Sequence, residues 1–149
     1  MDGPTRRQSA LVARLAPPRW YHPASGGALA LLVASLATRL PAVVVAAVLV
    51  YVAALYVLPR AYRRSTGVWY TGVVPPEPLR WSRLLTWTSV GAVVAGAVLG
   101  STPVAWAAVV VAVAAYVAVQ RLGARFDAEL RSALLLDPEV GFTIEEVDD

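Results

Sequence analysis

Four uncharged, strongly apolar runs, Ala24 to Thr38, Leu40 to Leu58, Leu84 to Gly100 and Pro103 to Val119, constrain this chain more than any other feature. A helix needs about 20 apolar residues to cross a hydrocarbon core of ~30 Å, and each run reaches or approaches that length. The first does so only when Trp20 to Pro23 are counted with it. None of the four contains Asp, Glu, Lys or Arg, so each reads as a transmembrane helix. Transport and intramembrane catalysis usually place an ionisable group at depth, and these spans offer none.

With 58% hydrophobic residues in 149, little is left outside a bilayer to build a water-soluble core, and one membrane domain is expected. All 13 basic residues are arginine, which with the Ala and Val load points to a genome rich in G and C. Cysteine is absent, which excludes disulfides, thiolate metal sites and cysteine nucleophiles. The segment Thr5 to Leu11 loosely resembles a twin-arginine signal. Pro17-Pro18 breaks the gap that follows, no small-residue cleavage site appears, and a second span begins almost at once. The first run is therefore read as a retained span.

Arginine placement sets the expected orientation. Arg6, Arg7, Arg14 and Arg19 precede the first span; Arg60, Arg63, Arg64, Arg80 and Arg83 lie between the second and third; Arg121, Arg125 and Arg131 follow the fourth. Only Arg39 falls on the opposite side, so twelve against one puts both termini and the central loop in the cytoplasm. Trp20, Trp81 and Trp87 at the same ends of the odd spans agree, because an amphipathic ring prefers the interface. The expected fold is an all-α integral membrane protein of four transmembrane helices in two hairpins, N-in and C-in. It divides into a cytoplasmic arm (1–19), a first hairpin (20–58), an Arg/Pro/aromatic loop (59–83), a second hairpin (84–119) and a cytoplasmic amphipathic helix with an acidic tail (120–149). Pro17-Pro18-Arg19-Trp20 and Pro75-Pro76 with Arg80-Trp81 introduce the hairpins alike. That is the pattern of a parallel tandem repeat, and also of any two hairpins that obey bilayer length.

Lipid supplies no hydrophobic force between helices, so small residues that let backbones approach mark the expected seams. Gly26, Ala30, Ala34 and Thr38 recur every four residues in the first span; Thr88, Ala92, Gly96 and Gly100 do so in the third. These ridges read as internal packing of an Ala-rich bundle, with self-association through Gly96 and Gly100 as the competing account. Tyr51, Tyr56 and Tyr116 need hydroxyl partners, for which Ser35, Ser89, Thr86 and Thr88 are candidates.

The search for chemistry prunes alternatives. His22, the one histidine, lies beside Trp20 and Tyr21 and reads as a structural side chain, since a haem or metal would need further ligands. A proton-coupled exporter of the small multidrug resistance type also has four spans, but it needs an embedded carboxylate, and here none exists. The glycines from Ser65 to Gly72 lack the Gly-Lys-Ser/Thr of a phosphate loop. No catalytic residue, cofactor or metal site is expected, and no nucleic-acid partner.

Specific chemistry gathers on the arginine-bearing face. Arg60, Arg63 and Arg64, with Trp20 and Trp81, are expected at lipid head groups. Trp69 and Tyr70 in the central loop are candidate partner-binding residues, as are Phe126 and Leu130 on the apolar stripe of the C-terminal helix, where Arg125 with Glu129 and Asp127 with Arg131 are i,i+4 pairs. Phe142 and Ile144, in the tail from Glu139 to Asp149, suit addition to a cytoplasmic protein's sheet edge or basic groove. The expected role is a non-enzymatic accessory or assembly subunit of a larger bacterial inner-membrane complex. Its partners would be lipids, other membrane subunits and a cytoplasmic protein; the alternative is a small homo-oligomeric channel or holin-like pore.

Overall fold

The computed structural model describes residues 18–66 and 76–136, with backbone alone at 63, 65–66, 76–79, 130–131 and 133–136. The described elements are all helical: α1 (Tyr21–Ser35), a 3₁₀ turn (Leu36–Thr38), α2 (Pro41–Thr66), α3 (Pro76–Gly100) and α4 (Ala107–Leu136). Runs such as Val43 to Val45 and Val109 to Val111 are mediocre helix formers in water. In hydrocarbon a helix is the way one segment satisfies all of its own backbone groups, which overrides that preference. Three helices, α2, α3 and α4, are long and apolar enough to cross a membrane.

Proline and glycine punctuate the helices. Pro41 and Pro76 open α2 and α3, where a missing N–H costs nothing. Pro23 sits in the first turn of α1 for the same reason. The helices run further than hydropathy alone draws them: 59–66 and 76–83, expected within the central loop, continue α2 and α3, Pro59 included. At the other hairpin, 101–106 form a turn, so α4 begins at Ala107 and not at Pro103.

The chain directions bring the start of α1, the end of α2, the start of α3 and the end of α4 to one end of the molecule. This is the arginine end: Arg19, Arg60, Arg64, Arg80, Arg83, Arg121 and Arg125 are all there, and all are exposed. Across the bundle the order is α2, α1, α4, α3, and α1 also reaches α3 near the turn end. The core therefore centres on α1. Leu29 and Val33 are fully buried against Ala92 of α3 and Ala112, Ala115 and Val119 of α4. The buried positions of α4 (Ala108, Ala112, Ala115, Val119, Gly123) recur at three- and four-residue steps, the spacing of a helix–helix seam, and they face a broader buried surface of α1 (Gly26, Leu29, Leu32, Val33, Ser35). By contrast, α2 rests on α1 and the adjoining 3₁₀ turn, with Ala47 its one buried side chain among the described residues.

Candidate functional site

The small residues set how closely the helices approach. A Cβ on Gly26 would lie 3.2 Å from Tyr116 Cδ2, and one on Gly96 would lie 2.8 Å from Val33 Cγ1. At Gly100 it would collide with the carbonyl of Leu36, so the 3₁₀ turn lies directly on the α3 backbone. Ala30 and Ala34 pack at the edge of the same core and Ala92 within it. Gly27 and Gly91 face open space.

At the turn end, Arg39 adopts the left-handed conformation (φ 56°), alone among described non-glycine residues. Its Nε donates to the Gly100 carbonyl at 3.0 Å and its Nη2 to that of Thr102. The Ser101 and Thr102 hydroxyls donate to Val98 and Leu99 carbonyls, both at 2.7 Å. The open carbonyls closing α3 thus gain donors and a cation at the negative end of its dipole.

At the arginine end, His22 crosses from α1 to α4 and meets Asp127, Nε2 to Oδ2 at 2.5 Å, with both side chains largely buried. Gly123, one turn before Asp127, makes room for the ring: a Cβ there would strike Nδ1. The tyrosine rings of Tyr21 and Tyr62 meet edge-on at 5.4 Å beside the pair and link α2 to it. Between α3 and α4, Arg80 Nη2 donates to Glu129 Oε1 at 2.7 Å. The guanidinium carbons of Arg80 and Arg125 each lie 5.2 Å from the Trp81 ring centroid, within cation–π range. The Trp81 indole nitrogen and Glu129 Oε2 are both buried with no hydrogen-bond partner among the described residues.

Glu129 bonds Arg80 of α3 in place of the expected local bond to Arg125, Arg125 stacks on Trp81, and Asp127 engages His22 of α1; the side chain of Arg131, the expected partner of Asp127, lies outside the described residues. The His22–Asp127 pair is largely buried, where a charge interacts more strongly than on a solvated face, whereas Arg80 reaches Glu129 from an exposed position. The hydroxyls of Ser35, Thr86 and Ser89 likewise donate to their own helix, at the carbonyls of Leu32, Ser82 and Leu85, rather than to tyrosines.

No family model, curated protein or solved structure matches this chain. Its own geometry is therefore the guide to chemistry. His22 presents one nitrogen to Asp127 and has the other against Gly123, so the ring bridges α1 and α4. Among the described residues no three His, Cys, Asp or Glu side chains converge.

The remaining candidates are scattered. Arg60 is exposed and stacks 3.9 Å over its own helix's Tyr56, Arg64 is exposed, and Trp20 is exposed with its ring edge-on to Tyr21. Phe126 is half-buried. Trp69, Tyr70, Phe142 and Ile144, like the side chains of Arg63 and Leu130, lie outside the described residues. The sequence did carry a signal for the missed pair. Asp127 is one turn beyond Gly123 and His22 one turn before Gly26, so both extend the small-residue ridges by a single step.

Proposed function

We propose that this chain is a four-span, non-enzymatic accessory or assembly subunit of a larger bacterial inner-membrane complex, with both termini and residues 59–83 in the cytoplasm. The observation that carries the reading is α2. Its apolar part, Pro41–Tyr62, packs chiefly on α1 among the described residues, and Val45, Leu49, Val52, Leu55 and Val57 are each more than half exposed along it. A helix so sparsely held suits a subunit that offers a wall to another membrane protein.

The fourth span rests on α1. Its 15 helical residues give about 22 Å and the 3₁₀ turn about 6 Å, together close to a ~30 Å core. It runs beside α4 from Asp127 to the turn end, which supports an equal depth for the two. The polar groups of the seams are spent on holding helices together, consistent with a structural role. The pore alternative depended on Gly96 and Gly100 as an outer surface, and Val33 and Leu36 occupy that surface inside the subunit.

Purification in native nanodiscs, with particle mass measured and co-purifying chains identified, tests the proposal. A defined heteromer is expected, weakened when Val45 and Leu49 are replaced by Trp. A lone monomer or a closed homo-oligomer would contradict it.

A further inference from the structure

We propose that the α3–α4 seam at the arginine end binds the phosphate of an anionic phospholipid, held between Arg121 and Arg125 with Trp81 beneath. This rests on the membrane reading of the fold and is independent of the accessory role. Arg121 and Arg125 are four residues apart on α4, hence on one face, and both are exposed. Like charges at that spacing repel weakly, which a bound anion would relieve. Among the described residues Glu129 is the carboxylate that attracts Arg125, and it is shared with Arg80. The two described carboxylates at this end are already engaged, Asp127 by His22 and Glu129 by Arg80.

Arg125 is also preset. Its guanidinium lies over the Trp81 ring at 5.2 Å, which fixes the plane of a fork that matches two phosphate oxygens, while Arg121 adds a second fork one turn away. Depth selects the source of the phosphate. Arg121 and Arg125 stand about 21 and 27 Å along α4 from Ala107, in the last third of a ~30 Å core, from which a long arginine side chain snorkels to the head groups. Tryptophan prefers the same layer. Arg80 closes the opposite edge of the ring with its charge already neutralised by Glu129.

Native mass spectrometry of the full chain released from bilayers of phosphatidylglycerol and phosphatidylcholine reads the site directly. Retention of one phosphatidylglycerol is expected, with affinity falling about tenfold in the Arg121→Gln/Arg125→Gln double variant. Arg60→Gln/Arg64→Gln removes the same charge from the same end and should change it less than about twofold. The pair Arg121→Lys/Arg125→Lys, which keeps the charge and loses the fork, should fall between and guards against misfolding. Equal losses in the two glutamine variants, or no loss in either, would overturn the site. Inorganic phosphate is the second probe: if it displaces the lipid at matching concentration, the source is a soluble phosphate and the lipid assignment fails.

Discussion

At the residue scale the structure is decided where glycine permits contact and where arginine and histidine cross between helices. Gly100 is the sharpest case, because a single methyl group there meets the Leu36 backbone and not a movable side chain. Gly100→Ala should lower stability by about 1–3 kcal/mol, the cost of forcing volume into a packed seam. Gly91→Ala, facing open space, should leave stability unchanged or raise it by under about 1 kcal/mol through helix propensity. Unfolding in detergent by steric trapping separates the two, and equal effects would mean that the α3 seam is not where the structure puts it. The ridges holding Gly26, Gly96 and Gly100 are legible in the sequence as four-residue repeats, because close backbone approach requires residues without bulk. The spacing places His22 and Asp127 on seam faces, but which residue meets which, in His22–Asp127 as in Arg80–Glu129, is not legible, since residues 105 and 49 positions apart become neighbours only once helix order and register are fixed.

At the element scale the central fact is the inequality between α1 and α2. Hydropathy ranks α2 as the clearest span and α1 as the shortest, yet α1 lies at the centre of the row with α4, and α2 lies at its edge. Apolar length reports fitness for lipid, whereas burial follows from the small-residue ridge that α1 carries and α2 lacks. Leu29→Ala in α1 should therefore cost about 2–5 kcal/mol, as large-to-small changes in packed cores do. Leu49→Ala and Leu55→Ala in α2 should each fall within about 0.5 kcal/mol for the isolated subunit. A large loss at Leu49 in the isolated subunit would show that α2 is packed inside it and would remove the surface offered to a partner. Helix ends are less legible than helix existence: 59–66 and 76–83 continue α2 and α3 past the apolar zone, through Pro59 and the arginines that follow it in α2, because hydropathy marks the lipid boundary and not the end of a helix.

For the whole molecule, the helix directions gather the described arginines at one end and leave Arg39 alone at the other, where the carbonyls of Gly100 and Thr102 receive it. The lone opposing charge is thus a clasp between the two hairpin turns, and the one-sided arginine distribution keeps its meaning for orientation. Function follows from that arrangement only through what would cover α2 and the arginine end, so the account depends first on how often the chain crosses the membrane. Because the chain has no cysteine, single cysteines can be placed without background. The most direct test labels Arg19→Cys, Thr38→Cys, Ser101→Cys and Ser132→Cys in intact cells with a membrane-impermeant maleimide. The account predicts labelling at Thr38 and Ser101 from outside, and at Arg19 and Ser132 only after permeabilisation. Labelling of Arg19 and Thr38 from the same side would mean that α1 does not cross, and the four-span architecture would be wrong.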